Sequence, residues 1–482
     1  MNNVFTKEWT VFEGMEKGVE AWKFSDEIYA SAMRGDFRNA NVKQFFSILK
    51  NQIRNEYGLV DICPGVPTDR ETRVALWYMP TYATVAMYVW FKNSTPEVFD
   101  ESINREMAEL MEVAFKHGIV GHGYDGYEMF YKTMLIFAKA GAKEFIEREP
   151  EFAPMFTKVM IEGIAQLEAA LAISKEMKDD YHFGWRPKHN DLSFLVNAWN
   201  GRPHAVFVYG TLMAGERASY MLDSYEYCDV FCLKDYAMYN VSSYPGIKKK
   251  KGECVVGEVY FVDDVCIDRM DAYEGEGTLY LRECVKVENE WGNLEAFVYV
   301  YNHESNGPIV RNKWNIKSSD EIWYACYGSN LSADRFRLYI EGGYFELTGR
   351  SYSGCRNKEL WKDTDFRSFP GRLYFGNNSG TWFNSGVAFY EQKKDYRTYM
   401  RLYKITWEQL LDLQTQEGAS ANWYGKRICL GIHEDGCPIY TITSETKREE
   451  NKPHELYIQV MKEALIEECG VEAKMVKRYL GR

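Results

Sequence analysis

The 482-residue sequence predicts an α+β multidomain protein, with an all-α N-terminal domain followed by two related β-rich domains. A chain of this length holds about three domains at roughly 100–200 residues each. Apolar residues recur at helical spacing up to about residue 200, whereas short β-rich runs follow beyond residue 203. Two motifs of the β-rich part then recur in the same order. We therefore expect domains at 1–200, 203–312 and 320–482.

The N-terminal 200 residues read as helices separated by Pro and Gly. Their apolar residues repeat every three to four positions, as on one face of a helix. The predicted helices cover 26–33, 42–57, 96–117, 127–148 and 152–177. The run 74–91 carries no charge but contains Pro80, Thr and Tyr, so we expect a buried core helix there rather than the ~20 strongly apolar residues of a membrane span.

The β-rich part begins after the junction "WNGRPH" (199–204) and repeats itself. The run "AVFVYGTL" (205–212) returns as "IWYACYGSNL" (322–331). The run "MDAYEGEGTLYLREC" (270–284) returns as "LQTQEGASANWYGKRIC" (413–429). A repeat of this length indicates two copies of a domain rather than a solenoid.

Each copy starts with an apolar strand that stops at Tyr-Gly-Thr or Tyr-Gly-Ser. Glycine relieves the steric limit at such a turn, and the N–H groups that follow can point into one concavity that holds an anion. A turn of this kind on its own is most often an ordinary strand-to-loop connection, and its recurrence is what favours a site. The candidate binding residues of the two loops are Tyr209, Gly210, Thr211 and Leu212, then Tyr327, Gly328, Ser329, Asn330 and Leu331.

Each copy also has one acid in its second motif, Glu274 and Glu417. A tyrosine follows each acid, Tyr280 and Tyr424, and we count both among the binding residues. Glu276 is a rival in the first copy, but the second copy has no acid at that place. A glutamate desolvated among aromatic rings has a raised pKa and can act as a base and then as an acid. Glu274 and Glu417 are therefore the candidate catalytic residues.

At these motifs the sequence resembles the gamma-glutamylcyclotransferase-like family, of the gamma-glutamylamine cyclotransferase type. The first copy matches with "FVYGTLMAG" (207–215), "YPGI" (244–247), "VVGEVYFVDD" (255–264) and "LYLRECVKV" (279–287). The second copy, with "YGSNL" (327–331), resembles a more divergent branch in which Asn330 is inserted before the leucine. The resemblance implies two mixed α/β small-barrel cyclotransferase-like domains, each with a pocket between the YG(T/S) loop and a single Glu.

The implied reaction needs no cofactor and no metal. The α-amine of a gamma-glutamyl group attacks its own γ-carbonyl, which gives 5-oxoproline and a free amine or amino acid. Ring closure within one molecule supplies proximity, so the protein mainly handles protons and charge. A base removes a proton from the ammonium, and the same acid then protonates the leaving nitrogen. The alternative is a non-catalytic protein that binds a small molecule or a peptide end in the same pockets.

Charge and composition set the expected partners. Lys and Arg total 58 against 70 Asp and Glu, which gives a net charge of −12 and argues against nucleic acid. The 11 Cys are scattered without zinc-finger spacing, and no basic segment leads into an apolar run near Met1. We therefore expect a cytoplasmic protein with a small gamma-glutamyl substrate, no membrane association, and a helical domain that could contact a protein partner.

Overall fold

The computed structural model describes most of the chain. The described residues are 32, 37, 41–62, 64–65, 74–116, 133–156, 162–175, 188–241, 243–304 and 313–481. The helix predicted over 26–33 lies outside them, apart from Ala32. These ranges form a mixed α/β structure with a helical N-terminal region and a sheet-rich C-terminal region.

Helices make up the described N-terminal region, close to where their apolar spacing predicts them. These helices are α1 (Val42–Asn51), α2 (Met79–Ser94), α3 (Glu101–Lys116), α4 (Ala142–Arg148), α5 (Ala153–Phe156), α6 (Glu162–Ile173) and α7 (His189–Trp199). The helix expected over 127–148 is interrupted before α4 at Gly141, which adopts a left-handed conformation with φ 75°. The helix expected over 152–177 is described as two pieces, α5 and α6.

The uncharged run at 74–91 lies inside this region, as its composition predicts. It begins as a π-helical turn (Val74–Tyr78) and continues as α2. Tyr82, Val85 and Tyr88 are fully buried, and they belong to one apolar core shared with the other N-terminal helices. Of the helices that the structure describes, none has the length and apolar character needed to cross a membrane.

A closed five-stranded barrel follows the helices. Its elements are β1 (His204–Val208), β2 (Glu226–Asn240), β3 (Pro245–Val262), α8 (Asp264–Glu274), β4 (Tyr280–Asn289) and β5 (Gly292–Tyr301), with strand order β1-β3-β2-β4-β5. β1 pairs antiparallel with β3 and parallel with β5, which closes the barrel. Because β1 is buried on both faces, it reads as the continuous apolar run "HAVFV".

The last region contains an open five-stranded sheet. Its elements are β6 (Glu321–Cys326), α9 (Ala333–Glu341), β7 (Gly343–Phe345), β8 (Arg350–Tyr352), β9 (Thr364–Pro370), β10 (Arg372–Ser379), β11 (Ser385–Glu391), β12 (Arg397–Thr406), α10 (Trp407–Glu417), β13 (Lys426–Ile432), β14 (Pro438–Thr443), α11 (Glu455–Glu463) and α12 (Ala473–Leu480). The main sheet has the order β13-β14-β6-β12-β9, and β10-β11 and β7-β8 form separate pairs. β6 lies between an antiparallel neighbour, β12, and a parallel neighbour, β14.

The barrel and the last region share part of their apolar packing. Cys232, Cys254 and Val256 lie on barrel strands, yet they are buried in the core built around β6, β12 and α10. Arg367 of β9 adds a polar contact, because its guanidinium pairs with Glu290 at 2.7 Å in the barrel's last hairpin. The outer face of the barrel is therefore packed against the sheet that follows it.

Candidate active sites

Glu274 is the last residue of α8, the helix that leaves β3 and returns the chain to the barrel. Asp263 caps the start of the helix, and its Oδ1 accepts a hydrogen bond of 2.8 Å from the N–H of Cys266. Gly275 caps the end, in the left-handed conformation with φ 64° that glycine tolerates best. The cap at each end therefore sets the length of the helix, and this length places Glu274 beside the end of β1.

A cavity of about 200 Å³ lies between Glu274 and the loop that follows β1. Its walls are mostly aromatic and apolar. The lining residues include all of Tyr209, Gly210, Thr211, Leu212 and Tyr280, together with Arg217, Tyr244, Pro245, Tyr273 and Tyr299. Two of the tyrosines are held through their hydroxyls: Tyr209 donates to the carbonyl of Tyr299 at 2.6 Å, and Tyr280 donates to that of Pro245 at 2.8 Å.

The carboxyl group of Glu274 is in an environment that favours its neutral form. Burial raises its pKa from 4.5 to about 7. None of the hydrogen bonds described for the chain involves its carboxylate, so no donor stabilises the charge. The rival acid Glu276 is exposed and receives a long hydrogen bond from the N–H of Arg282. Glu274 is thus the acid that the fold turns toward the cavity.

Glu417 occupies the corresponding place in the last region, at the end of α10. This helix starts with a reciprocal cap, in which Thr406 accepts from the N–H of Gln409 and the Gln409 side chain accepts from the N–H of Thr406. A cavity of about 290 Å³ separates Glu417 from the loop after β6. Burial raises the pKa of Glu417, and the charge of Arg335 and hydrogen bonds from Asn330 and Tyr339 act against that rise.

Arg335 gives the second cavity a cation that the first cavity lacks among its buried residues. It lies on α9, is 2% exposed, and lines the cavity. The rings of Tyr339, Phe345 and Tyr352 surround its guanidinium at 4.2–4.8 Å from ring centroid to Cζ. Its Nη2 donates to the two tyrosine hydroxyls, whereas Nε and Nη1 have no partner among the described residues.

The glycines of the two loops are needed for space rather than for an unusual backbone conformation. A Cβ on Gly210 would lie 2.6 Å from Cγ of Pro245, and one on Gly328 would lie 2.6 Å from the hydroxyl of Tyr457. The backbone at Gly328, with φ −110°, lies outside the left-handed region. We expected from the sequence that these turns need glycine for its backbone freedom. The structure instead shows that a side chain at either position would collide with a neighbouring residue.

The structure brings most of the predicted site residues together. In the second loop Tyr327, Gly328, Ser329 and Asn330 line the cavity, as does Tyr424, whose hydroxyl donates to the carbonyl of Ala388 at 2.8 Å. Leu331 does not line it, because its side chain is fully buried in the core. Four further residues reach the cavity from α9, β8 and α11 without any sequence motif to indicate them: Arg335, Tyr339, Tyr352 and Tyr457.

Comparison with known proteins gives matches for part of the chain. Residues 206–320 match the family model described as gamma-glutamyl cyclotransferase, AIG2-like. A Vibrio cholerae protein that is named among the gamma-glutamylcyclotransferases is 32% identical over 112 residues, which are 23% of this chain and 95% of that protein. The family model therefore covers the closed barrel, and the alignment with the bacterial relative covers nearly the whole of that protein.

Two further proteins are similar to parts of the chain. A protein named Histone deacetylase 5 from Arabidopsis thaliana is 31% identical over 199 residues, which are 35% of this chain and 29% of that protein. The chain thus spans less than a third of the length of this plant relative. The crystal structure of YkqA from Bacillus subtilis aligns with 58% of this chain and 97% of its own, at 18% identity and a TM-score of 0.30.

Proposed function

The chain belongs to the gamma-glutamylcyclotransferase family through residues 206–320, and from this premise we propose that its barrel cyclises a gamma-glutamyl amine or amino acid. The products are 5-oxoproline and the free amine. The observation that carries the proposal is the carboxyl of Glu274, which has a pKa of about 7 and faces a cavity closed by the loop 209–212. A group with that pKa exchanges a proton readily near neutral pH.

In this mechanism Glu274 first accepts a proton from the substrate and later donates it to the leaving group. Its carboxylate removes a proton from the substrate's α-ammonium, and the freed amine attacks the γ-carbonyl carbon to form the five-membered ring. The ring nitrogen gives up its second proton to water, and the C–N bond to the leaving group breaks as the protonated Glu274 donates its proton to that nitrogen. Residues 209–212 line the cavity, and we propose that their N–H groups and the hydroxyl of Thr211 donate to the developing oxyanion.

We propose that residues 320–482 are a second copy of the same domain. In both regions the first strand lies between an antiparallel strand and a parallel strand, and the antiparallel strand leads directly into the helix that ends at the acid. Tyr327 donates from its hydroxyl to the carbonyl of Ile442 at 2.6 Å, as Tyr209 does to the carbonyl of Tyr299. The second sheet is open where the first is closed, which fits a divergent copy.

The second cavity contains groups that suit the zwitterionic end of a gamma-glutamyl compound. Nε and Nη1 of Arg335 are buried donors without a partner among the described residues, and a carboxylate would satisfy them. Oδ1 of Asn330 is a buried acceptor that likewise has no hydrogen-bond partner among the described residues. The Asn330 side chain is hydrogen-bonded to Glu417, and a substrate ammonium would be held between them. We therefore propose that Arg335 binds the α-carboxylate and that Glu417 and Asn330 receive the α-amine.

The second cavity could instead serve binding alone. Glu417 already accepts a hydrogen bond from Asn330 at 2.8 Å and interacts with Arg335, and both interactions favour its charged form. The net effect of its surroundings is still a raised pKa, because burial outweighs these interactions. The family match over residues 206–320 includes Glu274, so we assign the chemistry first to Glu274 and leave Glu417 to be tested separately.

The test is release of 5-oxoproline from a panel of gamma-glutamyl amines and amino acids by the full chain. Glu274→Gln should lower turnover by roughly 10²–10⁴-fold, the usual contribution of a general acid–base group. Glu276→Gln is the matched control, because this exposed neighbour should be replaceable without loss. Glu417→Gln shows whether the second copy contributes. Absence of 5-oxoproline from every member of the panel, with folded protein, would favour the binding alternative.

A further inference from the structure

Three cysteines from distant parts of the chain meet where the barrel packs against the last region. Cys232 lies on β2, Cys254 on β3 and Cys429 on β13, and their Sγ atoms all lie within 4.8 Å of one another. The three side chains are 0%, 4% and 7% exposed. Cys254 and Cys429 are 175 residues apart, so no local cysteine spacing could have indicated this cluster.

Strand register explains why the sulfur atoms converge. In the β2–β3 ladder Cys254 stands opposite Lys234, two residues from Cys232, so both cysteines project from the same outer face of the barrel. Cys429 approaches that face from the other region. Contacts beyond the cluster hold the two surfaces in place, since Arg367 pairs with Glu290 of the barrel and also with Glu434. The cysteines are thus positioned by a packed interface.

We propose that these three cysteines bind one thiophilic divalent metal ion of the Zn²⁺ type. An ion at the centre of a triangle with 4.8 Å sides lies about 2.8 Å from each corner, and zinc–thiolate bonds are ~2.3 Å long, so contraction by about half an ångström completes the bonds. Each thiol loses its proton to solvent as its sulfur binds. The site is separate from both glutamate cavities, and its test does not depend on the proposed reaction.

The surroundings favour a divalent ion. Lys234 is paired with Glu288, so these two side chains together add no net charge beside the cluster. Three thiolates with a divalent ion leave one negative charge at the interface, whereas a monovalent ion would leave two, and buried charge without compensation is costly.

A fourth donor is available at the same interface. Zn²⁺ in a structural site usually has four ligands. Tyr440 stands opposite Cys429 in the β13–β14 ladder, and its hydroxyl is buried without a hydrogen-bond partner among the described residues. We therefore assign the Tyr440 hydroxyl to the fourth position.

The experiment measures metal binding by the full wild-type chain. The protein is purified under reducing conditions, stripped with a chelator, and titrated with Zn²⁺ and separately with Co²⁺. We expect about one tightly held ion per chain, and a thiolate-to-Co²⁺ charge-transfer band that Zn²⁺ abolishes. We also expect the ion to raise the Tm, because it binds only the folded interface. Retention of no ion, or of Cu⁺ alone, would overturn the assignment.

Variants locate the ion. Cys232→Ser, Cys254→Ser and Cys429→Ser should each remove the Co²⁺ band and the Zn²⁺-dependent gain in Tm. Cys355→Ser is the matched control, since this cysteine is 2% exposed and lies outside the cluster. If a serine variant fails to fold, the wild-type chain still decides the question, because the intensity of the thiolate-to-Co²⁺ charge-transfer band rises with the number of bound thiolates. An intensity well below that of three thiolates would count against the site.

Discussion

Asn330 donates a hydrogen bond of 2.8 Å to Glu417, and no side chain among the described residues makes an equivalent hydrogen bond to Glu274. The two loops differ by one inserted residue, Asn330, and this residue makes the hydrogen bond. In the barrel loop Leu212 follows Thr211 directly, whereas Asn330 follows Ser329 in the later loop. Two acids that end similar helices therefore differ in how strongly their charged forms are stabilised, since a hydrogen bond to a carboxylate favours ionisation.

Replacing Asn330 should raise the pKa of Glu417 further. The Asn330→Ala change removes a donor to the carboxylate, and burial continues to penalise its charge. The pKa can be followed by infrared spectroscopy, as the pH at which the protonated-carboxyl band of Glu417 disappears. Glu417→Gln identifies that band by its absence. Asn378→Ala, an exposed change beyond the cavity, should leave the midpoint in place, and an equal shift in both variants would contradict the assignment.

Glu274 should reduce the stability of the folded protein as the pH rises. Its folded pKa of about 7 lies above the unfolded value of 4.5, so the contribution is fully favourable below pH 4.5 and is lost as the pH rises through 7. The change amounts to at most about 3 kcal/mol. Glu274→Gln should therefore match the wild type near pH 4.5 and become more stable than it at pH 8.

Denaturant unfolding at several pH values measures this difference. Glu276→Gln serves as the control, because Glu276 is exposed and its replacement should give a curve parallel to that of the wild type. A Glu274→Gln protein whose stability relative to the wild type does not change between pH 5 and pH 8 would show that Glu274 is not desolvated.

The same pKa predicts the acid limb of the pH–rate profile. If Glu274 is the base, kcat/KM should rise with pH and level off above about 7. At pH 5, two units below that pKa, the ionised fraction is about 1%, so kcat/KM should be about 100-fold below its plateau. The measurement is 5-oxoproline formation at low substrate concentration, and a profile that is flat from pH 5 to pH 8 would exclude this base.

Arg335 should control binding of carboxylate ligands in the second cavity. Arg335→Met keeps the length of the side chain and its packing among the three rings but removes the charge. Hydrogen bonds to charged groups contribute about 1.5–3 kcal/mol, which corresponds to roughly 10–100-fold weaker binding of a gamma-glutamyl compound. Calorimetry on the Glu274→Gln background prevents turnover of the ligand, and the binding lost on Arg335→Met reports the second cavity. Arg350→Gln, at an exposed residue of the cavity rim, is the control and should cost much less.

Local sequence motifs predicted both acids because each ends a helix next to a recurring loop. The same motifs could not predict Arg335, which follows the loop by only a few residues but reaches the cavity because α9 turns it inward. Tyr457 was missed for a different reason, since its helix α11 packs on the loop from more than a hundred residues away. Contacts that depend on tertiary packing leave no periodic signal in the chain.

The fold shows the same division. The uncharged composition of 74–91 predicted a buried helix there, and short β-rich runs separated by glycines and charges indicated a mostly antiparallel sheet or barrel. Whether a sheet closes depends on pairing between strands that are far apart in sequence, as between Val206 and Phe297 in the barrel. The later region also pairs its first strand, β6, with a parallel strand, β14. Its main sheet nevertheless stays open, because β9 and β13 are its two edge strands. Such closure is decided by long-range register.

Gly328 and Tyr457 allow a direct test of why the loop needs glycine. A methyl group at Gly328 would lie 2.6 Å from the hydroxyl of Tyr457, and that hydroxyl also accepts a hydrogen bond from the N–H of Ala388 at 3.2 Å. Gly328→Ala should therefore displace the tyrosine and destabilise the protein by about 1–3 kcal/mol, as overpacking does. Tyr457→Phe alone should cost less, because it removes one hydrogen-bond acceptor.

The double variant separates crowding from backbone strain. If the clash is with the hydroxyl, Gly328→Ala should be less destabilising in the Tyr457→Phe background than in the wild type, which gives a favourable coupling energy in a double-mutant cycle. The φ of Gly328, −110°, lies outside the left-handed region that favours glycine. Unfolding free energies of the four proteins that simply add would mean that alanine is excluded for another reason, such as contact with Ala388 at 3.3 Å.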